Sequence, residues 1–414
     1  MNAPERPRRV AITGIGPISS IGAGPAAFLR GLRSGACGAR PITAFDTTGF
    51  EHDIGCEVVD FDPAEAVTRI SPKDYGRSSL FAAAAARMAV RDSGLPSDAL
   101  RGERVVIAVG TTDGESRDLD DLVRGDVAQG ADGDGAFDPV LARRIPAARL
   151  STAVAAELDL VSVEAVTLTT ACAAGNYAIG YGYDAVRLGE TDFALCGGAD
   201  SVCQKTFAGF YRLGTVAPDL CRPFDANRQG ILTGEGAGVV LLESWDAAVA
   251  RGAHIYAEVL GFGLNCDGDH PVAPNEERIA ECMRLALADA GLAPEAVDLI
   301  SAHGTGTIAN DRTESRAIRS VYGAEPPRTV SIKSMIGHTM GAASALGSIA
   351  CALAIDNGFI PPTINHVETD PECGLDCVPN HAVDHDLTVV QNNGLAFGGN
   401  NAVLIFGKPV AATA

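Results

Sequence analysis

One stretch of this chain occurs twice, and the repetition limits the fold more than any single motif does. Ala89-Val90-Arg91-Asp92-Ser93-Gly94-Leu95 recurs as Ala286-Leu287-Ala288-Asp289-Ala290-Gly291-Leu292. In each copy the pattern predicts an amphipathic helix ending at a glycine, the residue that takes a left-handed cap without a Cβ penalty. A short proline-containing loop follows, then a strand closing on Gly-Thr, over residues 104–111 and 298–305. A single repeat at this separation implies two similar α/β halves and not a solenoid. The halves continue in step. A strand over residues 163–168 leads to a helix over 177–188, and a strand over 329–332 leads to a helix over 342–355. The expected halves are residues 1–250 and 251–414, dividing near 248–253 after the strand Val239-Val240-Leu241-Leu242. Residues 113–138 are acidic and Gly-rich and read as a long loop or flap.

A chain of 414 residues is long enough for one large core or two fused units. Its formal net charge of -20 argues against nucleic acid as a partner. The 11 cysteines form no spacing ladder, and residues 1–9 carry no apolar signal-peptide segment, so a cytoplasmic location with free thiols is expected. Cys373 and Cys377 are too isolated for a zinc site, and no metal is expected. No apolar run reaches ~18 uninterrupted residues, so no membrane span is expected. Val10-Ala11-Ile12-Thr13-Gly14-Ile15-Gly16 lacks the dinucleotide spacing and reads as a strand with a tight turn.

The chemistry concentrates in three Gly-punctuated turns. Cys172 sits in Thr169-Thr170-Ala171-Cys172-Ala173-Ala174-Gly175-Asn176, between a strand and a helix. A cysteine at a helix start feels the positive dipole end, which lowers its pKa and favours thiolate. Small neighbours leave room for an acyl thioester, and backbone N–H groups there suit a developing oxyanion. Downstream come Ala302-His303-Gly304-Thr305-Gly306-Thr307 and Lys333-Ser334-Met335-Ile336-Gly337-His338. Each histidine ends a strand, where a neutral imidazole N–H polarises a carbonyl or stabilises an enolate. Cys172 and His338 are expected at matching places in the two halves, facing one cleft. Lys333 orients His338, supplies positive charge, or makes a structural salt bridge. Cys196, Cys203, Cys282 and Cys351 read as core residues. His52, His254, His270, His366, His381 and His385 read as surface or structural.

These residues resemble the β-ketoacyl-acyl carrier protein synthases, the condensing enzymes of fatty acid and polyketide assembly. The resemblance covers essentially the whole chain. It rests on Thr170-Ala171-Cys172, Arg222-Pro223-Phe224-Asp225, Gly234-Glu235-Gly236-Ala237-Gly238 and the two histidine motifs, in the family's order. It implies the thiolase-like fold, an α/β five-layer α-β-α-β-α sandwich, and a homodimer. A heterodimer with a chain-length-factor-like subunit is the other assembly considered. It further implies no cofactor: substrates arrive on the phosphopantetheine of an acyl carrier protein. By the resemblance Cys172 takes the acyl chain, and His303 and His338 hold the carbonyl of a malonyl thioester as CO2 leaves. Thr305 and Thr307 bond the pantetheine arm, Glu314 braces the lysine loop, and the N–H groups of Cys172 and Leu395 form the oxyanion hole. Phe397 and Gly398 belong to the same pocket turn.

The chain departs from the family pattern at several places. Leu395 stands where a gating Phe is usual, Ala396 for Gly, and Asn400 for Thr. Gln229 and Ile231 are unusual after Arg222-Pro223-Phe224-Asp225. Ser344 stands for Gly, Gly347 for Glu, and Ile336 for a small or polar residue. The leading reading is decarboxylative Claisen condensation, in polyketide or other specialised metabolism. The departures motivate a non-decarboxylative cyclase or acyltransferase as the alternative. A structural partner of another synthase is the third reading, opposed by the intact Cys172, His303 and His338. For docking of an acidic carrier, a basic patch of Arg69, Lys73, Arg77, Lys205 and Arg212 is expected.

Overall fold

The structure, a computed structural model, describes residues 7–96, 98–129 and 138–410. Ten strands run across its main sheet, with the short strand Gly22–Ala23 paired to the first as an eleventh: β1 (Val10–Ser19), β2 (Arg104–Gly110), β3 (Ser162–Leu168), β4 (Phe193–Asp200), β5 (Gly236–Ser244), β6 (Ala257–Cys266), β7 (Leu299–Ser301), β8 (Arg328–Val330), β9 (Val389–Leu395) and β10 (Asn400–Gly407). Their order across the sheet is β8-β7-β9-β10-β6-β1-β5-β4-β2-β3. Each run of five, counted from its own first strand, therefore has the order 3-2-4-5-1. Within each run, the second strand pairs parallel with the third and fourth, and the remaining pairings are antiparallel. The runs meet where Val10, Ala11 and Ile12 pair antiparallel with Val259, Glu258 and Ala257.

Eight helices matter for the site: α1 (Arg77–Asp92), α2 (Ser116–Gln129), α3 (Arg149–Glu157), α4 (Ala174–Arg187), α5 (Gln204–Arg212), α6 (Glu276–Ala290), α7 (Ile308–Tyr322) and α8 (Ala343–Asn357). Helices α1 and α3 cover one outer face, and α6 with α7 covers the other. Helices α4 and α8 pack against strands of both runs and form the middle layer. The result is five layers, α-β-α-β-α. Strand alternation produces it, because side chains point to opposite faces with period two. Val106 and Ala108 enter the middle core, while Val105, Ile107 and Val109 enter the outer one. Leu404 and Phe406 do the same against Val403 and Ile405.

Helix α8 is apolar on every side, as a helix between two sheets must be. Its residues from Ala343 to Ile355 are all buried. The stretch Met340–Asn357 is long and apolar enough to cross a membrane by composition, yet 89% of it is buried inside the fold. The repeated glycines, Gly94 and Gly291, both adopt left-handed backbone, with φ of +73 and +66 degrees. One expectation fails: residues 113–138 are not all loop. Helix α2 occupies Ser116–Gln129, and residues 130–137 lie outside the described part.

Candidate active site

Cys172 lies in a single 3-10 turn, Ala171–Ala173, directly before α4. Ala171 holds a φ of +50 degrees, which a residue with a Cβ adopts only under local constraint. The same geometry recurs before α8. Thr339 precedes Met340, also at φ +50 degrees, in the 3-10 turn Met340–Ala342. The counterpart of Cys172 is therefore Gly341, and His338 stands three residues earlier. The expected pairing of Cys172 with His338 is corrected to this register. Both turns still face one cleft.

Burial pushes the Cys172 thiol up, to about 12, while the Lys333 charge and the Phe397 N–H pull it down. The resting cysteine is thus a neutral thiol, contrary to the thiolate expected from the helix start alone. The Phe397 N–H donates to the Cys172 sulfur, whereas Leu395 is packed in the outer core and lines the cavity with its side chain. The N–H that approaches the Cys172 sulfur is therefore that of Phe397 and not that of Leu395. An aromatic is also not lost at the site: the Phe397 ring lines the cavity 5.4 Å from the Phe210 ring. Gly398, at φ +80 degrees, makes the turn possible and donates its N–H to the Pro271 carbonyl at 2.8 Å.

His303 and His338 face each other with ring centroids 5.5 Å apart, nearly edge to face. Burial, then the Lys333 charge, holds both well below the usual histidine range, so both are neutral. The Met340 N–H donates to His338 Nδ1 at 3.2 Å. The ring proton therefore sits on Nε2, where it is free to donate. Lys333 Nζ donates to the His303 carbonyl at 2.6 Å, so the lysine positions His303 rather than His338. Burial lowers the pKa of Lys333, and the Glu314 carboxylate opposes that shift.

Glu314 accepts the His303 N–H and the Gly304 N–H, each at 2.8 Å, and the Asn393 amide at 3.0 Å. It braces the histidine turn, not the lysine loop as expected. Asp311, unremarked in the sequence, does the same one helical turn earlier. It accepts the N–H groups of Thr305 at 3.0 Å and Gly306 at 3.2 Å. Acids three apart at the start of α7 share one face, a spacing that marks such a pair. The hydroxyls of Thr305 and Thr307 lie 2.9 Å apart, and Thr307 also caps α7.

Cys172, His303, His338, Thr305, Thr307, Ile231, Leu395 and Phe397 line one open cavity of about 100 Å3. Phe210 and Thr215 were missed and also line it. The unusual Gln229 is exposed and outside the cavity. At the other departures the packing is settled locally. The Asn176 N–H donates to Ser344 Oγ at 3.0 Å, tying the two central helices together. A Cβ on Gly347 would sit 2.6 Å from Asn392 Oδ1, so the Asn392 amide fills that space. Among the described residues no group of three or more metal-binding side chains occurs.

The expected docking patch does not assemble as five available cations. Arg77 is half-buried and bonds both oxygens of the buried Glu235. Lys205 pairs with Asp113 at 2.8 Å, and Arg69 with Asp159 at 3.2 Å. Lys73 and Arg212 are exposed.

Comparison with known proteins agrees with this geometry. The N-terminal domain model of beta-ketoacyl synthase matches residues 7–248, and the C-terminal domain model matches residues 256–367. Nodulation protein E of Rhizobium sp. (strain N33) is 39% identical over 96% of this chain and 99% of its own. The tetracenomycin polyketide synthase ketoacyl synthase alpha subunit of Streptomyces glaucescens is 37% identical over 97% of each. Among solved structures, the ishigamide ketosynthase/chain length factor matches with a TM-score of 0.96 and 61% identity, over 98% of this chain and 100% of that one. A type II polyketide synthase acyl-carrier protein in complex with its ketosynthase matches at 0.89 and 29%, over 98% and 100%. The five layers are the thiolase fold that such ketosynthases share. Neutral thiol, paired neutral imidazoles and duplicated halves thus come together in one lineage: the chain belongs to the beta-ketoacyl synthase family, acyltransferases that form carbon–carbon bonds by decarboxylative Claisen condensation.

Proposed function

We propose that Cys172 carries the growing acyl group and that His303 and His338 run the condensation on it. The observation that supports this most is the convergence of one thiol and two neutral imidazoles on a single cavity. In the first half-reaction the Cys172 sulfur attacks an acyl thioester. The carbonyl oxygen gains charge against the N–H groups of Cys172 and Phe397. The carrier thiol leaves with the proton that Cys172 loses. Because the resting thiol is neutral, proton loss accompanies attack and does not precede it.

A malonyl thioester then enters along Thr305 and Thr307, whose hydroxyls suit a pantetheine amide. His303 and His338 donate to its thioester carbonyl. The bond to the carboxylate breaks, CO2 leaves, and its electron pair forms the enolate. The enolate carbon attacks the acyl carbonyl on Cys172, and the cysteine sulfur departs and regains a proton. Neutral donors suit this step, because an enolate is stabilised where it forms and released where the next bond forms. The substrates are carried by an acyl carrier protein, and no separate cofactor is needed. A second synthase chain, identical or of the chain-length-factor kind, completes the assembly. Similarity to ketosynthases of polyketide assembly favours a specialised pathway over primary fatty acid synthesis.

Supplying an acyl carrier protein and a malonyl carrier protein to the purified protein tests this. One CO2 per β-ketoacyl product, abolished in His303→Ala, supports condensation. Product without CO2 would establish the cyclase or acyl-transfer reading instead.

A further inference from the structure

The register of the two halves places Gly341 where the other half has Cys172. Cys172 lines the cavity, whereas the N–H of its counterpart is already engaged inside the fold. The Gly341 N–H donates to Asp200 Oδ2 at 2.6 Å. Asp200 is the last residue of β4 and is fully buried. The same oxygen accepts the Thr112 N–H at 2.8 Å. Its other oxygen accepts the Thr111 hydroxyl at 2.5 Å and the Asp113 N–H at 3.1 Å. Four donors converge on one carboxyl group, and only the carboxylate accepts them all. Burial, then Asp113, pushes this carboxyl up, and the hydrogen bonds oppose that.

Gly341 is held tightly. A Cβ there would lie 2.5 Å from the Thr111 Cα and 2.7 Å from Asp200 Oδ2. The neighbouring N–H, that of Met340, is the one that bonds His338 Nδ1. Met340 has the left-handed backbone that aims this N–H back at the ring. A strained residue persists only where its surroundings fix it. Asp200 anchors the residue that follows it.

We propose that Asp200 is a positioning residue for His338. Its carboxylate clamps the Met340–Gly341 turn to the N-terminal half, and the turn fixes the His338 tautomer with the proton on Nε2. The clamp rests on the role of His338 given above, and it deepens that role. It also gives the duplicated fold a use for its second helix start. One half offers its turn N–H to the substrate oxyanion, and the other half ties its equivalent to an internal carboxylate.

The test compares wild type, Asp200→Asn, Thr111→Val and His338→Ala. Asparagine keeps the size but turns a donor toward N–H groups. Thr111→Val removes one contact to Asp200 and leaves the Gly341 bond, so it serves if Asp200→Asn does not fold. Three quantities are read: acyl loading on Cys172 by intact mass, CO2 release from malonyl carrier protein, and the His338 tautomer by nitrogen-15 NMR of labelled histidine. Expected for Asp200→Asn is a loss of ten-fold or more in the kcat of CO2 release, with KM and acyl loading within about three-fold, and a mixed His338 tautomer. Thr111→Val shows the same pattern at smaller amplitude. An unchanged tautomer in both variants overturns the clamp, as does an equal loss in loading and CO2 release. If His338→Ala releases CO2 at the wild-type rate, the role of His338 fails, and the tautomer still decides whether Asp200 sets it.

Discussion

A buried cysteine that must act as a nucleophile meets two opposing demands. Removing water protects the acyl thioester from hydrolysis, but it also disfavours the thiolate. Here burial prevails at rest, and the Lys333 charge and the Phe397 N–H offset part of it. Alkylation of Cys172 by iodoacetamide is expected to rise about ten-fold per pH unit from pH 7 to pH 10 without a plateau. A plateau below about pH 9 would show the lowered pKa expected of an exposed helix start. Lys333 is read at the same scale. Lys333→Met keeps the buried length but leaves the His303 carbonyl without its 2.6 Å donor. An unsatisfied buried acceptor costs about 1–3 kcal/mol. The expected outcome is a lower unfolding midpoint in urea, and a larger fall in CO2 release than in acyl loading. Equal falls in both would place the lysine's work on Cys172 and not on His303.

At the scale of elements, the two central helix starts hold the chemistry, and small polar contacts keep them in register. Asn176, Ser344, Ser348 and Asn392 form one buried network across α4, α8 and β9. Gly347→Glu is expected to overpack it, because its Cβ alone would meet Asn392 Oδ1 at 2.6 Å. Overpacking of this kind costs about 1–3 kcal/mol. A drop in melting temperature checks it, and an unchanged one would mean that the Asn392 amide swings clear. The strand alternation and the helix-glycine repeat were legible in sequence, because period and glycine caps are local signals. The Cys172–Gly341 register was not. It depends on left-handed backbone at Ala171 and Met340, residue types that give no sign of it. That the Phe397 N–H and not the Leu395 N–H lies against Cys172 was hidden for a similar reason. Only the turn after β9, with Gly398 at positive φ, decides which N–H reaches the sulfur. Asp200 was missed because an isolated acid carries no pattern until the fold delivers N–H groups to it, whereas Asp311 was passed over although its spacing to Glu314 marks it.

For the whole molecule, the strongly acidic chain must receive its substrate on a carrier, and charge placement then matters more than charge sum. Arg77 cannot serve that purpose while it neutralises Glu235 in the fold. Arg77→Ala is expected to destabilise the protein by about 3 kcal/mol, since it strands a buried carboxylate. At matched folded concentration its KM for carrier-bound substrate should equal that of wild type. A raised KM with unchanged stability would return Arg77 to the docking surface. The central claim, that Cys172 holds the acyl group between two half-reactions, is tested most directly by intact-protein mass spectrometry. Wild type incubated with an acyl carrier protein should gain the mass of one acyl group, and Cys172→Ala should gain none. Adding malonyl carrier protein should remove that mass and release CO2 in equal amount. An adduct on Cys172→Ala, or β-ketoacyl product from a wild type that never carries the acyl mass, would contradict the account.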